Sequence, residues 1–88
     1  MVKRTVRVEN ATGFHARPAS IFVREAEKFK SKIELHANGK IADATDLVRI
    51  MSMGLSKGTE VLIQAEGMDE SQAVESLAHI IKSDFSEE

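Results

Sequence analysis

Apolar and polar residues alternate at the start of the chain. Val6 and Val8 are spaced by Thr5, Arg7 and Glu9, so Lys3 to Glu9 predicts a strand with one buried face. From Pro18 to Phe29 the period changes: Ala19, Phe22, Val23, Ala26 and Phe29 recur at helical spacing and predict a first helix. "KIELHA" and "KIADA" flank Asn38-Gly39, a dipeptide that tolerates positive φ and favours a tight two-residue hairpin. "TEVLIQAEG" alternates again, with Val61, Ile63 and Ala65 on one face, and predicts a fourth strand. "MDESQAVESLAHIIKSDF" sets Val74, Leu77, Ala78 and Ile81 on one helical stripe, with Asp69 and Gln72 spaced as a capping box.

Two segments carry more apolar surface than their elements bury. A short helix turns about half its surface inward, yet "DLVRIMSMGLSKG" offers Leu47, Val48, Ile50, Met51, Met53 and Leu55, so some of them face water. In the first helix, Ile21 falls off the buried stripe and lies with Arg17, Ser20, Arg24 and Lys28 on the opposite face. Single exposed apolar residues are ordinary. Two such patches, one beginning beside His15, suggest a docking surface.

Composition narrows the classes. The 88 residues carry 42% hydrophobic and 30% charged side chains, which predicts one small globular domain spanning 1–88. The formal net charge of -2 argues against nucleic acid as the main partner. No cysteine is present, which excludes disulfides and thiolate chemistry. "MVKRTVRVEN" lacks the apolar core of a signal peptide and no apolar run reaches membrane-spanning length, so a cytoplasmic location without membrane insertion is expected. The acidic end, "SEE", is expected to fray.

The chemistry concentrates in "GFHARPAS", residues 13 to 20. Pro18 lacks an amide hydrogen and biases Arg17 away from helical geometry, so it belongs in the first turn and leaves 15 to 17 as an entry segment. Free amides and the positive end of the helix dipole form an anion site, worth about 0.3–1 kcal/mol from the dipole alone. Arg17 adds a guanidinium suited to phosphate oxygens. Such a place favours a neutral His15, whose lone pair is nucleophilic and whose phosphorylated form is an anion where anions are stabilised. Gly13 permits an unusual backbone or a close approach, and Thr12 or Ser20 offers a hydroxyl to the phosphate.

The string "TGFHARPAS" resembles the active-site signature of the histidine-containing phosphocarrier protein (HPr) family of the bacterial phosphoenolpyruvate-dependent sugar phosphotransferase system. The spacing to "ANGK", "MSMGLSKGTEV" and "GMDESQAV" is similar to that family over nearly the whole chain. The resemblance implies an α+β fold, an open-faced β-sandwich: a four-stranded antiparallel sheet with three helices on one face, in the order βαββαβα. It implies a stoichiometric phosphoryl carrier rather than an enzyme, needing no cofactor and no metal. His15 would be phosphorylated on Nδ1 by enzyme I and would pass the group to IIA domains of sugar permeases. Arg17, Ala16 and Thr12 would hold the phosphoryl oxygens. Ser20, Ile21, Arg24, Leu47, Val48, Arg49 and Met51 would form the docking face, with a catabolite-control regulator as a further partner.

One position departs from the pattern. Many Gram-positive relatives have a serine at position 46 that an HPr kinase modifies, and this chain has Asp46, a candidate N-cap for the short helix. A regulatory adaptor that docks a transcription factor or enzyme is the alternative function, and a domain binding a free anion at the helix terminus is another. His36 is expected beside Glu34 on the outer sheet face, and His79 on the polar side of the last helix, both in structural roles. Met51 and Met53 fit core filling and adaptable contact surface better than metal binding.

Overall fold

The structure, a computed structural model, describes residues 1–85, so the acidic end at Ser86 to Glu88 lies outside the described residues. Its elements are β1 (Val2–Arg7), α1 (Ala16–Ala26), β2 (Lys32–Ala37), β3 (Lys40–Asp43), α2 (Leu47–Met51), β4 (Glu60–Glu66) and α3 (Glu70–Lys82). The strands form one antiparallel sheet in the order β1-β4-β2-β3. Val6 pairs with Val61, and Leu35 with both Ile63 and Ala42, so the apolar sets of all four strands share one face. The helices cover that face. From α1 come Ala19, Phe22, Val23 and Ala26, and from α3 come Ala73, Val74, Leu77, Ala78 and Ile81, all buried in the core that the strands supply from below. The result is the expected α+β open-faced β-sandwich. No helix among the described residues is long and apolar enough to cross a membrane.

The turn chemistry acts where it was expected. Asn38 and Gly39 both have positive φ (53° and 74°), the pairing that matches hairpin twist in a two-residue loop. Asn38 Nδ2 also donates to the carbonyls of Met53 (2.9 Å) and Gly54 (3.1 Å), which ties the hairpin to the end of α2. Asp46 caps α2 by accepting from the Arg49 amide at 3.1 Å. His36 is half-buried on the outer sheet face, with Nε2 3.1 Å from Glu34 Oε1, and His79 is exposed on α3.

Two local expectations need correction. The first helix begins at Ala16 with His15 as its N-cap, and ends at Ala26 rather than Phe29. Pro18 therefore takes the third helical position, where a missing amide costs no helical hydrogen bond and where the ring faces no earlier helical carbonyl. Arg17 is helical despite the bias from the proline. The Asp69–Gln72 capping box does not form. Asp69 precedes α3 but turns its carboxylate across to the α1–β2 connection, accepting from the amides of Lys30 (2.9 Å) and Ser31 (3.0 Å) and from the Ser31 hydroxyl (2.5 Å). Glu70 takes over locally by accepting from the Gly67 amide at 3.1 Å.

The Ser31 hydroxyl, followed by the Lys30 and Ser31 amides, holds the Asp69 carboxyl below the ordinary aspartate value. A depressed carboxyl contributes stability above its unfolded pKa and loses it as pH falls through the folded one. Asp69→Asn is accordingly expected to lower the urea midpoint at pH 7, and the gap from the parent should close as pH falls through and below the aspartate range. Urea titrations of both chains at pH 7, 5 and 3 check it; a gap that widens in acid contradicts it.

Candidate functional site

The segment leading into α1 is fixed by an approach that only glycine allows. Gly13 has φ +64°, and a Cβ there would lie 2.2 Å from the Leu55 carbonyl oxygen. The same oxygen accepts from the Phe14 amide at 2.8 Å, so the chain before His15 is fastened to the loop between α2 and β4. His15 follows with extended geometry (φ −86°, ψ −170°), and its carbonyl accepts the Ala19 amide at 2.9 Å. The side chain of His15 makes no capping hydrogen bond and no acidic residue occupies the first turn. The amides of Ala16 and Arg17 thus have no carbonyl partner within the helix, and the positive end of the dipole is uncompensated there.

His15 and Arg17 are exposed and line one cleft of about 440 Å³ with Thr12, Pro18 and Ile21. Ala16, also exposed, brings its amide to the same helix start. The far wall comes from the chain after α3. Asp84 and Phe85 both have φ of 63°, a left-handed turn that sends the Phe85 ring back into the core. It meets Phe14 edge to face at 4.8 Å between centroids, and Phe14 meets Phe22 at 5.4 Å. Pairs of this kind contribute about 0.5–1.5 kcal/mol beyond their burial. The neighbour of the candidate nucleophile is thereby locked into the core, and Asp84 is carried to the cleft. Two helical amides, a guanidinium and a threonine hydroxyl can together hold a tetrahedral anion next to an imidazole.

Of the cleft residues, Asn10, Ala11, Asp84 and Phe85 escaped the sequence reading. Asn10 had a readable signal, since asparagine followed three residues later by glycine marks a turn. Asp84 had none, because its approach depends on the left-handed exit from α3.

The residues expected to dock lie on α1 and α2. α1 and α2 lie against each other. Ser20 is half-buried and Arg24 exposed on α1, while on α2 Val48 is 79% and Met51 44% exposed and Leu47 is half-buried. Ile50, Met53 and Leu55 supply the buried half of that apolar run. The exposure expected of Ile21 is contradicted. It is 5% exposed although helical periodicity sets it opposite the core stripe. It forms a wall of the cleft, which Phe85 also lines. Arg49 is exposed, with Nε donating to the Ile41 carbonyl at 3.2 Å, which draws it toward the hairpin.

The open-faced sandwich thus presents a histidine and an arginine at its first helix start, with an apolar second helix alongside. Comparison with known proteins gives the particular family. The model described as the PTS HPr component phosphorylation site matches residues 2–83. The HPr-like protein Crh of Bacillus subtilis is 42% identical over 84 residues, covering 96% of this chain and 99% of that one. The phosphocarrier protein HPr of Buchnera aphidicola is 40% identical over 81 residues, covering 92% and 95%. Among solved structures, HPr from Thermoanaerobacter tengcongensis superposes with a TM-score of 0.93 at 43% identity, covering 100% of this chain and 99% of that one. The chain belongs to the HPr family of the phosphotransferase system.

Gly13→Ala should destabilise the fold by about 1–3 kcal/mol, since it adds left-handed strain to a backbone collision that must be relieved by moving the site loop. Thermal unfolding checks the loss, and an unchanged midpoint would mean that the 10–15 segment moves away from Leu55 freely.

Proposed function

We propose that this chain is a phosphocarrier that accepts a phosphoryl group on His15 from phospho-enzyme I and hands it to IIA domains of sugar permeases. The observation that carries the reading is His15 as an exposed N-cap, sharing a cleft with Arg17 and with unpaired helical amides, in a chain of the HPr family. In the accepting step the Nδ1 lone pair of His15 forms a bond to phosphorus as the bond to the donor histidine breaks. The electron pair of that bond returns to the donor ring, and no net proton transfer is needed. Delivery is the same step in reverse, onto a histidine of the acceptor. Such exchanges ask mainly for alignment and for stabilisation of charge on the phosphoryl oxygens, the tasks of Arg17, the Ala16 and Arg17 amides and the Thr12 hydroxyl.

Ser20, Arg24, Leu47, Val48 and Met51 serve as the docking face, apolar from α2 and basic from α1. Arg49 borders it. Asp46 leaves position 46 without a hydroxyl, so serine-directed control at that position is absent, while its carboxylate holds the start of α2. The identity to the HPr-like protein Crh favours one second reading, a regulatory adaptor that offers the same face to a transcription factor or enzyme, such as a catabolite-control regulator. Transfer onward to a IIA domain separates the two.

With enzyme I and phosphoenolpyruvate, the protein should gain the mass of one phosphoryl group, lost in acid, and His15→Ala should gain none. A His15→Ala chain still phosphorylated on histidine removes His15 from the role. Arg17→Ala should unfold at the parent temperature, because the side chain is exposed, yet transfer up to about 10²–10³ times more slowly, as when one donor to a developing anion is removed. Rapid-quench transfer assays check this, and a parent-like rate would leave the amides as sufficient.

A further inference from the structure

Asn10 stands at the exit of β1, half-buried, on the wall of the His15 cleft and outside the signature that carries the family resemblance. Its carbonyl accepts from the Gly13 amide at 3.2 Å, closing a four-residue turn with asparagine first and glycine last. Its side chain then adds a second clasp: Nδ2 donates to the Gly13 carbonyl at 2.8 Å. The next amide along, that of Phe14, donates to Leu55 at 2.8 Å. The Gly13 carbonyl and the Phe14 amide belong to one planar peptide group, so that plane is held at both ends. His15 is two residues on from Gly13, and the path by which its ring enters the cleft follows from that plane.

The same Nδ2 lies 3.5 Å from Thr12 Oγ1. An amide nitrogen has only hydrogens to offer, so this contact engages a lone pair of the hydroxyl and leaves the hydroxyl hydrogen to be donated elsewhere. Thr12 lines the cleft, where the group needing a donor is an anion on His15.

The amide is not placed there for its own satisfaction. Asn10 Oδ1 is buried with no hydrogen-bond partner among the described residues, and an unpaired buried acceptor is destabilising. Turning the amide over would set Oδ1 against the Gly13 carbonyl, acceptor against acceptor. The backbone bond already closes the turn, so the side-chain clasp is an addition to it, made with one buried acceptor left unpaired among the described residues.

The geometry points to Asn10 as a positioning residue for phosphoryl transfer, fixing the peptide that leads into His15 and turning the Thr12 hydroxyl toward the phosphoryl group. The inference rests on the carrier reading and extends it to a residue that never touches phosphate.

The test uses the full chain as parent, Asn10→Ala, Thr12→Val and the double variant, each checked for folding at the assay temperature. Phosphorylation is carried out by enzyme I with phosphoenolpyruvate and, separately, by phosphoramidate, from which ammonia leaves as Nδ1 bonds to phosphorus. Asn10→Ala is expected to lower kcat for transfer by about tenfold or more. KM for the carrier should hold, since the docking helices are untouched. The phosphohistidine made with phosphoramidate should hydrolyse several-fold faster, and Thr12→Val should cost much less in the Asn10→Ala background than in the parent. An Asn10→Ala chain that melts earlier but transfers with the parent kcat and keeps the parent phosphohistidine lifetime overturns the inference, because Asn10 then only closes a turn. A change confined to KM overturns it as well. If the parent accepts from phosphoramidate but not from enzyme I, the carrier reading fails, and the lifetimes alone decide for or against Asn10.

Discussion

The Leu55 carbonyl oxygen receives the Phe14 amide and leaves no space for a side chain at Gly13, and much of the site depends on that contact. It joins the approach to α1 with the loop after α2, so the helix that presents His15 and the helix that presents Val48 and Met51 share one anchor. The neighbouring strand pair supports it from the other side. Beyond the paired residues of β1 and β4, the Val8 amide reaches Thr59 at 2.9 Å and the Gly58 amide reaches Val8 at 2.8 Å, extending the sheet almost to the site loop. The loop is thus stitched at both margins, and in the proposed carrier role a phosphoryl group would meet donors already in place. Preorganisation of this kind is what transfer between nitrogen nucleophiles demands most.

Charge placement follows a second logic. A basic side chain at a helix start works against the dipole, and α1 has Arg17 there with no acidic residue to offset it. The conflict is relieved by an anion. In the proposed carrier role, a phosphoryl group on His15 would supply that charge. Asp84 lines the same cleft.

The aromatic stack shows how core and site are linked. Phe22 belongs to the buried stripe of α1, Phe14 to the site loop and Phe85 to the chain after α3, and their rings meet in sequence. Loosening of the end of α3 would free Phe85 and release the residue beside His15 together. The first half of α3 is tied by polar contacts: Arg4 of β1 pairs with Glu75, the terminal amine with Glu70, and Ser76 with Glu25 on α1.

The element order, the alternating faces of the strands, the Asn38-Gly39 turn and the Asp46 cap were legible in the sequence because each depends on residues within one or two turns of one another. The candidate site at His15 and Arg17 was legible for the same reason, since proline, dipole and guanidinium act within a few residues. What failed in the sequence reading depended on distant chain. Asp69 left its own helix because the amides of Lys30 and Ser31, brought in by the α1–β2 connection, outcompete the local cap. Ile21 is buried on the side that helical periodicity assigned to solvent, where it shares a cleft wall with Phe85 from the chain after α3. Asn10 and Asp84 joined the cleft through a clasp on Gly13 and a left-handed exit from α3. Periodicity records which side of an element is apolar; only the packed molecule decides what else comes to lie against the other side.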